Sequence, residues 1–107
     1  MALPRILRAP EAKQDLLDIW AYISSESAPS VADAFLARIE GAMEIIAFAP
    51  FIGRERPEFA GRPRSIPVRP YVIFYEPLPD GDGIMVLAVI HGRRNLPRLL
   101  IRRGSGR

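Results

Sequence analysis

The chain has 107 residues, 49% of them hydrophobic and 25% charged, enough for one domain around one core and too few for a second. It has no cysteine and a single histidine, His91, so disulfides, thiolate metal sites and cysteine nucleophiles are excluded, and no metal or cofactor is expected. No run nears the roughly 18 apolar residues of a membrane span, and residues 1–10 lack the apolar stretch and cleavage site of a signal peptide, so no membrane contact and a cytoplasmic location are expected.

Residues 3–8, Leu-Pro-Arg-Ile-Leu-Arg, read as a short extended segment that Pro4 confines to a sheet edge or a strand start. Pro10 and Glu11 suit a first helical turn, because proline gives up a donor that is unsatisfied there anyway and glutamate opposes the positive end of the dipole. Ala12, Leu16, Ile19, Trp20 and Ile23 then recur at helical spacing, with Lys13, Asp15, Asp18 and Tyr22 on the other side, which predicts a helix over 10–25. Residues 26–30 form a link, and Ser30 with Asp33 reads as a capping box opening a second helix. Its apolar stripe is Ala32, Phe35, Leu36, Ile39, Met43 and Ile46; Gly41 interrupts it and Pro50 ends it. Two amphipathic helices so closely joined must lie antiparallel.

Residues 51–63 have neither period and read as a loop rich in glycine, proline and arginine. Three strands follow, 64–68, 71–75 and 84–90, with turns near Arg69-Pro70 and over 79–83, making an antiparallel meander. Residues 95–101 read as a short terminal turn and 102–107 as a disordered tail beyond a single domain over 1–101. The expected fold is α+β, ordered β-α-α-β-β-β, with the helical hairpin on one face of a small antiparallel sheet. Trp20, Phe35, Ile39 and Ile46 are expected to face that sheet.

The net charge of +3 hides an asymmetry: residues 1–50 carry −3 and the rest +6, and fourteen of the fifteen basic residues are arginine. Arginine's planar fork pairs with carboxylates and phosphates in a way that lysine's point charge does not.

Several segments together carry a family resemblance. They are the Pro10-Glu11-Ala12 opening, residues 17–23 (Leu-Asp-Ile-Trp-Ala-Tyr-Ile), 50–53, Arg56-Pro57-Glu58, Arg64, 72–75 (Val-Ile-Phe-Tyr) and 89–95 (Val-Ile-His-Gly-Arg-Arg-Asn). In this order the chain resembles the ParE branch of the ParE/RelE toxin superfamily. The resemblance implies the toxin of a type II toxin-antitoxin pair, neutralised by a co-encoded ParD-like ribbon-helix-helix antitoxin that wraps it in a hetero-oligomer. Operator DNA would be reached only through that antitoxin. ParE-type members are associated with inhibition of DNA gyrase, and RelE-type members with ribosome-dependent cutting of messenger RNA. A shared fold does not separate the two.

The ribonuclease alternative requires a base, phosphate-holding cations and an acid. Glu55 or Glu58 would serve as base, Arg62, Arg64 and Arg69 as cations, and His91 as acid. Glu58, Arg64 and His91 form the leading set. Against it, nothing aromatic follows Tyr75, and the only lysine, Lys13, lies on the first helix. The plainer reading of His91 is a strand-end histidine bonded to nearby backbone. The non-enzymatic reading needs only a contact patch, for antitoxin or target, expected from Arg62, Arg64, Arg69, Arg93 and Arg94. An apolar groove or an open strand edge is expected beside it.

Overall fold

The computed structural model describes residues 3–93. The expected turn at 95–101, the tail at 102–107 and Arg94 lie outside the described residues. The elements run β1 (Arg5–Arg8), α1 (Pro10–Glu26), α2 (Pro29–Phe48), β2 (Arg54–Glu55), β3 (Arg64–Val68), β4 (Tyr71–Pro77) and β5 (Gly83–His91). Both helices lie against one sheet of strand order β1-β5-β4-β3-β2, an α+β arrangement.

Both helices open on proline rather than on a side-chain cap. Extended Ala9 and Ala28 precede Pro10 and Pro29, whose fixed φ is already helical and whose missing N–H leaves one orphan donor fewer. The capping box expected at Ser30 does not form, and the cap position falls two residues earlier, at Ala28. Asp33 instead accepts a hydrogen bond from the Trp20 indole Nε1 at 2.7 Å, which ties α2's first turns to α1.

That bond also corrects Trp20, which is 37% exposed rather than core. It sits about 100° around the helix from buried Ile19, on the seam facing α2, where its N–H finds a carboxylate. Asp15 is the opposite correction, being 6% exposed. It lies at i+3 from Ala12 and i−4 from Ile19, in the middle of the buried stripe. Ile39 and Ile46 are buried as expected, while half-buried Phe35 packs its ring against Tyr71 at 5.7 Å.

The sheet is mixed rather than wholly antiparallel. β3, β4 and β5 form the expected meander, but β1 pairs parallel with β5, Arg5 opposite Gly83 and Arg8 opposite Val86. The chain between them supplies the long crossover that parallel pairing requires. Gly83, at φ +129°, lets Arg5 come close, since a Cβ there would collide with the Arg5 backbone. Within the stretch expected to be loop, Arg54 and Glu55 pair with Ser65 and Arg64 as the edge strand β2.

A bulge opposite the Phe74–Tyr75 step shifts the pairing from Phe74–Ala88 to Tyr75–Val86. Ile73, Tyr75, Ile84, Val86 and Val89 face the helices and meet Ala12, Ile19, Ile39, Met43 and Ile46. On the other face Phe59 covers Phe74, Ala88 and Ile90, its ring edge-on to Phe74 at 5.4 Å. With a helix layer on one side and this patch on the other, β5 is apolar at nearly every position.

Candidate functional site

Two constructions position the chemistry-bearing side chains, one at each end of β4. At the β4 C-terminal end, the fully buried Tyr75 donates its hydroxyl to the Pro50 carbonyl at 2.8 Å and accepts the Gly53 N–H at 2.9 Å. Burial raises its pKa above the ordinary tyrosine value, more than the Gly53 bond and nearby Arg64 lower it. Arg64 completes the clamp, donating Nη1 to the Gly53 carbonyl at 2.7 Å and to that of Phe51 at 3.1 Å. Its guanidinium lies over the Phe51 ring at 5.2 Å and reaches the Glu55 carboxylate at 3.9 Å. These bonds fix the turn from α2 into β2.

At the other end, a groove of about 510 Å³ opens between the C-terminal half of α1, the start of α2 and the ends of β4 and β5. Ile19, Ile23, Val31, Phe35 and Tyr71 give it apolar walls, and Asp15, Asp18 and His91 give it polar ones. Asp15 accepts the Val89 N–H at 2.9 Å, which bolts α1 to β5. The His91 ring stands edge-on to Tyr71 at 5.6 Å, and its Nδ1 accepts the Arg93 N–H at 3.2 Å. The Gly92 N–H donates to the Pro70 carbonyl at 2.8 Å, so the chain leaves β5 at the groove's rim.

The expected cations divide between the ends. Arg64 pairs with Tyr75 and His91 with Tyr71, four positions apart along β4, about 13 Å. Arg69 follows Val68 at the far end of β3 from Arg64, and Arg93 follows β5 near it. Arg62 sits at φ 50° in the loop before β3. Glu58 is exposed and takes a 2.8 Å hydrogen bond from Arg56 Nε. A backbone hydrogen bond, then that of Arg56, hold its carboxyl below the usual range. Arg56 spans the Phe59 and Phe74 rings at 5.3 and 5.2 Å and bonds Ser65. Glu58, Arg64 and His91 therefore do not converge on one point. Among the described residues no three His, Cys, Asp or Glu side chains are placed to hold a metal ion.

Sequence reasoning passed over Tyr75, Asp15 and an exposed apolar patch of Ile45, Phe48, Phe51 and Ile52. The patch had a signal, large apolar residues either side of a helix-ending proline. The other two depend on contacts from distant segments.

The family model for the ParE toxin of type II toxin-antitoxin system, parDE, matches residues 6–96. The chain belongs to the ParE toxin family. A solved chain described as the chromosomal ParDE TA system from P. aeruginosa superposes with a TM-score of 0.68 at 18% identity, covering 83% of this chain and 96% of that one. At that identity the likeness is one of fold. A comparison with curated proteins finds no match. As a ParE-family toxin the chain carries its two constructions on a scaffold in which, among the described residues, no helix is long and apolar enough to cross a membrane.

Proposed function

We propose that this ParE-family chain inhibits DNA gyrase through protein-protein contact and is held inactive by a co-encoded ParD-like ribbon-helix-helix antitoxin. The observation that carries the reading is the ParE family match over nearly the whole described chain. The antitoxin also draws on the ParDE assembly named for the structural relative. The surface chemistry is consistent with a contact-based action: Arg64 is engaged by loop carbonyls, Glu58 by Arg56, and His91 lies against Tyr71. Arg62, Arg69, Arg93 and Arg94 are the cations proposed to steer an acidic partner surface, setting the association rate and its salt dependence more than the final affinity.

Supercoiling by purified gyrase tests the reading directly. Added toxin is expected to lower supercoiling or accumulate cleaved DNA, to leave ribosome-bound messenger RNA intact, and to lose its effect when antitoxin is added. Unchanged supercoiling alongside cut messenger RNA would overturn it in favour of RelE-type ribonuclease action. Charge reversal at Arg69 and Arg93 together is expected to slow antitoxin association at low salt, with the difference shrinking as salt rises.

A further inference from the structure

The groove beside His91 has a polarity opposite to that of the rest of the C-terminal half. Its walls are apolar, and among the described residues its charged groups are Asp15 and Asp18, with no lysine or arginine lining it. An acidic antitoxin segment is therefore mismatched to it, and its occupant should be apolar and basic. The chain carries such a segment immediately beyond the point where β5 reaches the rim. Residues 95–103, Asn-Leu-Pro-Arg-Leu-Leu-Ile-Arg-Arg, combine Leu96, Leu99, Leu100 and Ile101 with Arg98, Arg102 and Arg103.

We propose that residues 95–103 of this chain dock into the groove between α1, α2 and the β4–β5 end. Where the chain leaves the sheet makes the docking nearly intramolecular in the strict sense. Gly92 is hydrogen-bonded to Pro70, and both Pro70 and His91 line the groove, so almost no loop has to be closed. The effective concentration of the segment at its site then exceeds what a separate peptide of the same sequence reaches in solution. The lengths agree as well. Asp15 and Ile23, the limits of the groove along α1, are about 12 Å apart on the helix axis. Nine residues span about 13 Å if helical and about 30 Å if extended.

The absence of cysteine permits a clean disulfide test in the full chain. Tyr22→Cys, at an exposed groove position, is paired with Leu99→Cys. The comparison variant pairs Leu99→Cys with Ile52→Cys, beyond the other end of α2 and about 25 Å from Val31 along that helix. Under mild oxidation the first variant is expected to form an intramolecular disulfide and the second to remain reduced. Independently, trypsin should cut after Arg98, Arg102 and Arg103 about ten-fold more slowly in the natural sequence than in Asp18→Arg or Val31→Arg, which reverse or introduce charge on the groove without touching its buried base. Equal linking in the two cysteine variants, or equal cleavage in all three chains, would overturn the proposal. Linking found only between molecules would overturn it too, by assigning the groove to a second copy's segment.

Discussion

Tyr75 shows how one side chain organises a junction that no local propensity would hold. Its hydroxyl serves one buried N–H and one buried carbonyl from the turn after α2. Tyr75→Phe is expected to keep the packing and cost about 1–3 kcal/mol, because both backbone groups lose their partner; urea unfolding measures it. The raised pKa adds a pH signature. Folding favours the protonated phenol, so this stabilisation is complete below the ordinary tyrosine value of 10.0 and is lost as pH rises through the higher folded value. The alkaline fall in stability should be smaller in Tyr75→Phe than in the natural chain. Asp15 makes a parallel case: Asp15→Ala leaves the Val89 N–H without that acceptor, while Asp15→Asn keeps an oxygen in place and should cost less. Neither role was legible in the sequence. A carboxylate on a helix is ordinarily a solvated group, and the amide that makes this one core belongs to a strand 74 residues away.

At the scale of elements, legibility followed periodicity. α1, α2 and the β3–β5 meander each carry enough apolar repeats to declare themselves, and the family resemblance tied them into one order. β2 did not, being two residues long and defined only by its pairing with β3. The direction of β1 was equally hidden, because it is set by a neighbour at the other end of the chain. Two glycines separate local preference from tertiary demand. Gly41 lies inside α2 with nothing within 4 Å of where a Cβ would stand, so Gly41→Ala should stabilise the fold by up to about 1 kcal/mol in thermal or urea unfolding. Gly83→Ala should do the reverse and loosen β1, visible as faster amide exchange over residues 5–8.

The whole molecule presents two unlike ends. One carries the acidic, apolar-walled groove, and the other the exposed patch of Ile45, Phe48, Phe51 and Ile52 beside Arg64. Exposed apolar residues of this kind favour association, so Ile45→Ser with Phe48→Ser should delay aggregation while changing unfolding free energy by no more than about 1 kcal/mol. The candidate site was partly legible: the cations were visible, but their division between two ends depended on which end of each strand they occupy. The parallel pairing of the first and last strands also governs when the protein becomes complete. A nascent chain can build its helical hairpin early, yet β1 has no neighbour until residues 83–86 have been made. Until then the core lacks Ile84, Val86 and Val89 of β5, so a prematurely terminated product cannot complete the fold.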